Sequence, residues 1–181
     1  MKRNILIGIC GGIASYKTVE AIRQLIKYNC AVKVVMTEAA TKFVTPLVFK
    51  TVSNNPVYID MFHAQAIGIE HIALSEWVDL SLVAPLSANT LSKIACGICD
   101  NLLTTIICAL SKKTKVIFVP SMNERMWENP IIQENLNKLK KQSNYHFLYP
   151  QVGELACGES GRGRMVEADK IVKYIKSLLK K

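Results

Sequence analysis

Five short apolar runs, separated by stretches in which apolar residues recur every three or four positions, constrain this chain more than any other feature. The runs are ILIGIC (5–10), AVKVVM (31–36), LSLVAP (80–85), KVIFVP (115–120) and YHFLYP (145–150). Near-continuous apolar segments of that length read as strands buried on both faces. Between them, Val19, Ile22, Leu25 and Ile26 mark one helical face. Ile131, Ile132, Leu136 and Leu139 mark another, and Ile171, Tyr174, Ile175, Leu178 and Leu179 mark the last. Strands alternating with helices predict an α/β fold: a single-domain, Rossmann-like (flavodoxin-like) three-layer sandwich with a mainly parallel sheet over residues 1–181. A chain of 181 residues buries a core of this kind without disulfides or metals.

Several function classes fall away on composition. The opening MKRNILIGICGG has the charge and apolar stretch of a secretion signal, but it runs into Gly11-Gly12 and a polar helix start with no small-residue cleavage site. No apolar run reaches the roughly 18 residues of a membrane span. The expected location is cytoplasmic, with no membrane partner. The six cysteines (10, 30, 96, 99, 108 and 157) have no framework spacing and are expected to stay reduced. Cys96 and Cys99 form a C-x-x-C, yet no second Cys or His pair accompanies it and it joins two helical patterns, so no metal site is expected. The net charge of +9 invites a nucleic-acid reading. Much of the lysine, however, lies on helix faces and at the C-terminus (Lys170, Lys173, Lys176, Lys180, Lys181), with no basic motif interleaved with aromatics. No nucleic-acid partner is expected, and a small molecule bearing phosphate suits the charge as well.

The unusual residues gather where strands end and helices begin, which is the edge at which open parallel sheets bind ligands. GICGGIASYK sets Gly8, Gly11 and Gly12 there, so backbone N–H groups and a helix dipole face an anion, or the glycines merely permit a tight turn. Both the dinucleotide fingerprint and the P-loop pattern are absent, and Glu38 lies too far along the chain for the usual ribose-binding acid. APLSANT supplies Ser87, Asn89 and Thr90 at a second helix start, beyond the single residue that capping alone requires. In PSMNERMW the large apolar side chains suit core packing, whereas Asn123 carries an amide able to donate to and accept from a carboxylate. His71, opening HIALSEWVD, is either a satisfied structural residue or a general base near neutral pH. His63 and His146 read as structural. LACGESGRGRM places Cys157 among three glycines, two arginines and a serine, which reads as a mobile loop closing over a ligand.

Taken together, GGIASYK, HIALSEWVD, APLSANT, GICDNLL, PSMNERMW and LACGESGRGRM occur in the order and spacing of the homo-oligomeric flavin-containing Cys decarboxylases, and the resemblance covers about residues 4–175. It implies FMN as cofactor, held by Gly12, Ile13 and Ala14 with Gly11 beside them, by Thr37, by Ser87, Ala88, Asn89 and Thr90, and by Ser121. It also implies His71 as catalytic base, Asn123, Met126 and Ala156 as substrate-binding residues, and Cys157 as proton donor. The branch it resembles most decarboxylates 4'-phospho-N-pantothenoylcysteine to 4'-phosphopantetheine in coenzyme A biosynthesis, through thioaldehyde and ene-thiol intermediates. Two other branches stand as alternatives: peptidyl-cysteine decarboxylases of lantibiotic maturation, which lack the LACG cysteine, and non-catalytic regulatory flavoproteins. The resemblance further implies a homotrimer or homododecamer with the flavin near the subunit contact, and a synthetase that makes the substrate elsewhere.

Overall fold

A computed structural model of the chain describes residues 2–62, 70–154, 156 and 158–179. Six parallel strands form the central sheet: β1 (Arg3–Ile9), β2 (Cys30–Met36), β3 (Val57–Tyr58), β4 (Leu80–Leu86), β5 (Lys115–Pro120) and β6 (Tyr145–Phe147). Their order is β3-β2-β1-β4-β5-β6. The strand order therefore reverses between β1 and β4, and a crevice at that switch point lies beyond their carboxyl ends. Ile7 is registered between Val34 and Leu82, and Gly8 between Val35 and Val83.

The strands alternate strictly about that register. Ile5, Ile7 and Ile9, with Val34, Leu82 and Ile117, face the layer formed by α1 (Thr18–Lys27), α3 (Pro46–Ser53) and α9 (Ala168–Leu179), where Ile22, Leu25, Phe49 and Ile171 are fully buried. Leu6, Val35, Val83 and Phe118 face the opposite layer of α4 (Glu70–Trp77), α5 (Ala88–Cys96), α6 (Leu102–Ala109) and α8 (Pro130–Lys140). Gly8 belongs to this second face. A Cβ there would lie 2.5 Å from Leu103 Cδ1, so the glycine lets α6 approach the sheet. Its expected place in the anion-binding turn is thereby corrected to a packing role inside β1.

Helix boundaries follow local chemistry. Pro46 and Pro130 open α3 and α8 at positions where a missing N–H costs nothing. Gly97 ends α5 in the left-handed region (φ 70°), which favours glycine. Two side chains tie the first turn to the sheet. Ser15 Oγ donates to Cys10 O (3.0 Å) and Gly12 O (2.6 Å), and Thr18 Oγ1 donates to Ala84 O (2.8 Å).

Two departures from expectation concern the edges of the fold. β3, two residues long, extends the sheet beyond β2 and lies in no apolar run. The glycine-rich segment read as a loop contains a strand. β7 (Gln151–Glu154) and β8 (Ser160–Arg164) pair antiparallel as a separate hairpin. Along β8, Gly161 and Gly163 are buried while Ser160, Arg162 and Arg164 are exposed. The glycines in GRGR sit at strand period, and Gly161 allows close approach of the Glu124 carboxylate.

Candidate functional site

At the switch point the chain encloses a cavity of about 1090 Å³, at the upper end of the range that small-molecule sites occupy. Its walls are the segments that follow β1, β2, β4 and β5. The 3-10 turn Ile13–Lys17 follows β1, and α2 (Glu38–Thr41) follows β2, while α7 (Glu124–Trp127) follows β5.

The walls after β2, β4 and β5, together with the start of α6, each carry a polar residue in a capping position. Thr37 Oγ1 accepts from Ala40 N (3.3 Å) and Ser87 Oγ accepts from Thr90 N (3.3 Å). Asn101 Oδ1 accepts from Thr104 N (3.1 Å) and Asn123 Oδ1 from Arg125 N (2.9 Å). These four residues all line the cavity. Helix starts thus present backbone N–H groups and partial positive charge to one volume, the arrangement suited to an anionic ligand rich in oxygen.

Every expected flavin-binding residue lies on this wall: Gly11, Gly12, Ile13, Ala14, Thr37, Ser87, Ala88, Asn89, Thr90 and Ser121. So do the expected substrate-binding residues Asn123, Met126 and Ala156. Gly12 has extended backbone (φ 174°) and a Cβ there would meet nothing within 4 Å, so this stretch of main chain is open to a ligand. Beneath it, Cys10 is fully buried. Burial pushes its thiol up, against the opposing hydrogen bonds of Thr90 and Ser87. A cavity of this size, with capped helix starts and open main chain along its wall, fits a flavin mononucleotide with a small substrate beside it.

Several lining residues carry charge that motif reading did not assign. Lys17 Nζ (2.9 Å) and Arg164 Nη2 (2.7 Å) share one oxygen of Glu167, which draws two cavity-lining cations together. The Lys17 hydrogen bond, aided by that of Arg164, holds the Glu167 carboxyl below its ordinary range. Lys93 pairs with Asp100 at 2.5 Å, and that hydrogen bond likewise lowers the Asp100 carboxyl. Glu38 lines the cavity beside Thr37 despite its spacing from the glycines. Only Asn101 carried a signal in sequence, as a capping residue before the apolar run LLTTII. The Lys17–Glu167 link joins positions 150 apart, which no local pattern reveals.

The remaining expected residues lie elsewhere. His71 is half-buried on α4 and is not among the residues lining this chain's cavity. Cys157 and His63 fall outside the described residues. His146 is structural as expected: its Nδ1 contacts Tyr174 Oη at 3.1 Å, and burial, with Lys115, pushes its pKa down. Cys99, at the end of the C-x-x-C, lies against Cys108 and Thr104 O (3.9 Å), and burial raises its thiol. Among the described residues no three His, Cys, Asp or Glu side chains come together to hold a metal ion. No helix among them is long and apolar enough to cross a membrane.

Residues 1–180 match the family model described as Flavoprotein. The chain belongs to the flavoprotein family. It is 41% identical over 180 residues to the probable phosphopantothenoylcysteine decarboxylase of Streptococcus mutans, covering 99% of this chain and 100% of that one. It is also 47% identical over 173 residues to the coenzyme A biosynthesis bifunctional protein CoaBC of Borreliella burgdorferi, covering 96% of this chain but 44% of the relative. The flavoprotein chain therefore spans less than half of its bifunctional relatives. Among solved structures it resembles a mutant PPC decarboxylase complexed with pantothenoylaminoethenethiol (TM-score 0.88, 29% identity, all of both chains). It also resembles the FMN binding protein AtHal3 (TM-score 0.84, 31% identity, 98% of this chain and 97% of that one).

Proposed function

We propose that this flavoprotein binds FMN and decarboxylates 4'-phospho-N-pantothenoylcysteine to 4'-phosphopantetheine, a step of coenzyme A biosynthesis. One observation carries the reading: the flavin segments (Gly11–Ala14, Thr37, Ser87–Thr90, Ser121) and the substrate segments (Asn123, Met126, Ala156) open into a single cavity. The relatives named for this reaction support it, as does the relative complexed with an unsaturated aminoethenethiol.

A cysteinyl carboxylate departs as carbon dioxide only if the electron pair it leaves behind has a sink, which an unmodified thiol side chain lacks. Bound FMN supplies a reversible two-electron acceptor. The protein's part is placement and proton management. Asn123, its oxygen held by Arg125 N–H, binds the substrate carboxylate through its amide and so fixes the orientation in which the bound substrate meets the flavin. His71 takes the proton released from the substrate thiol. Because His71 does not line its own chain's cavity, it serves the cavity of a neighbouring copy in a homotrimer or in a homododecamer built from trimers. Cys157 gives a proton to the substrate carbon when the electron pair returns, which makes the released product a saturated thiol. Lys17 and Arg164 add positive charge for the phosphates. The cytoplasmic location, the homo-oligomer and a separate synthetase that supplies the substrate belong to this proposal on the strength of the family resemblance.

The test is to incubate FMN-loaded protein with 4'-phospho-N-pantothenoylcysteine and to weigh the product. A saturated thiol lacking carbon dioxide is expected. Inertness toward this substrate together with turnover of a peptide ending in cysteine would overturn the assignment.

A further inference from the structure

Among the described residues, the hairpin β7–β8 is hydrogen-bonded to the segment that follows β5 at two points. Gly163 O accepts from Met122 N (3.2 Å) and from Ser121 Oγ (3.3 Å). One residue earlier on β8, Arg162 N donates to Glu124 Oε1 at 2.6 Å. The first point uses mainly backbone and lies within the cavity wall. The second depends on one side chain that has no place among the substrate or flavin residues.

Gly161 completes this second contact. Its Cα faces the Glu124 carboxylate so closely that a Cβ would lie 2.5 Å from Oε2 and 2.7 Å from Cδ. Its backbone is outside the left-handed region, so any residue adopts the conformation and the close approach alone requires glycine. The carboxylate is the mobile end of its side chain, so a methyl at position 161 would displace it and break the bond to Arg162 N. An ionised acceptor on a backbone N–H gives one of the stronger hydrogen bonds available to a partly exposed group.

Glu124 sits next to Asn123, and the hairpin it grips ends β7 at Glu154 and begins β8 at Ser160. Those two positions bracket Cys157 along the chain, and Glu154 and Ala156 line the cavity. We propose that Glu124 is a positioning residue: its carboxylate, seated on Gly161 and Arg162 N–H, fixes the hairpin relative to Asn123 and so holds Glu154 and Ala156 in place at the cavity wall. The inference rests on the proposed role of Cys157 as proton donor. A purely local role for Glu124, as an acid in the first turn of α7, predicts no effect on which product leaves.

The test compares Glu124→Ala, Glu124→Gln, Gly161→Ala, the Glu124→Ala/Gly161→Ala double variant and Cys157→Ser as FMN-loaded proteins. Product mass is measured as the ratio of ene-thiol to saturated thiol. Amide hydrogen exchange is followed in residues 160–164 and, as a reference, in β1. Cys157→Ser should release ene-thiol. Glu124→Ala and Gly161→Ala should shift the ratio in the same direction and speed exchange in residues 160–164 about tenfold or more, the size expected from losing a hydrogen bond to a charged group. Exchange in β1 should not change. Glu124→Gln, which keeps an acceptor oxygen, should stay close to wild type. The double variant should be no worse than Glu124→Ala, since the methyl acts only through the carboxylate. Saturated thiol alone from Glu124→Ala, with ene-thiol from Cys157→Ser, overturns the inference, as does exchange that rises equally in β1. Saturated thiol from Cys157→Ser overturns the underlying reading of the cysteine instead.

Discussion

Two adjacent glycines in the first turn should respond oppositely to the same methyl group. At Gly11 a Cβ would lie 2.7 Å from Ala39 Cβ, 3.0 Å from Ala39 C and 3.1 Å from Ala39 O, so it meets the main chain of α2, which has no rotamer to escape into. Overpacking of this kind costs about 1–3 kcal/mol. For a domain of this size each kcal/mol moves the unfolding midpoint by about 2–4 °C. At Gly12 the backbone is extended and a Cβ has open space, so Gly12→Ala should change stability by less than about 0.5 kcal/mol, or raise it slightly by restricting the unfolded chain. Thermal unfolding of flavin-free protein is the proper assay, because bound ligand adds its own stabilisation. Absorbance of the purified proteins then reads flavin retention. Gly11→Ala should lower both the midpoint and the yellow colour, since it pushes apart two walls of the cavity. Gly12→Ala should keep the midpoint, while its methyl enters space open to the flavin, so the colour alone can fall there. Equal losses of midpoint at the two positions, or none at Gly11, would refute the claim that close approach to α2 is what position 11 requires.

Further outcomes follow from the same geometry. Glu167 is held below its ordinary pKa first by Lys17 and then by Arg164, so its contribution to stability is present above the unfolded carboxyl value of about 4.3 and is lost as pH falls through the lower folded value. The group is half-exposed, so Glu167→Gln should cost about 0–1 kcal/mol at neutral pH, and denaturant unfolding should show the gap closing in acid. A gap that stays constant as the pH is lowered into acid would contradict the charge link. Oligomers assembled from a mixture of His71→Asn and Asn123→Ala chains should recover turnover that neither variant has alone, whereas a base acting within its own chain gives no recovery. Gly8→Ala and Leu103→Ala should each destabilise, by about 1–3 and 2–5 kcal/mol, while the double variant costs less than their sum, because the methyl fills space the leucine vacates. Strict additivity in unfolding measurements would place the contact elsewhere.

The strands were legible because burial on both faces leaves little room for polar residues, and the period-two split of Ile5, Ile7 and Ile9 from Leu6 and Gly8 is visible once the faces are known. Gly8 was misplaced because sequence does not distinguish a glycine that yields to a helix from one that yields to a ligand. β8 reads as a loop for a related reason: glycines at every second position remove the apolar alternation that marks a strand, and here Gly161 serves close approach to Glu124. β3 is held by only two residues paired with Val34 and Val35, too few for any periodic signal.

The candidate site was more legible than the fold's edges, and the cause lies in how a doubly wound sheet ends its strands. Residues that cap helices are polar, conformationally special and adjacent to an apolar run, so Thr37, Ser87 and Asn123 stand out by type and position alone. The parallel topology then brings every such start to one edge without further information from the sequence. What topology does not bring is His71, because α4 packs in the layer of α5 and α6 and its histidine is absent from the lining of its own cavity. With His71 as the proposed base, held off the lining of its own chain's cavity, activity becomes a property of the assembly. Dilution to monomers should then abolish turnover at a protein concentration where the fold, judged by circular dichroism, is still intact.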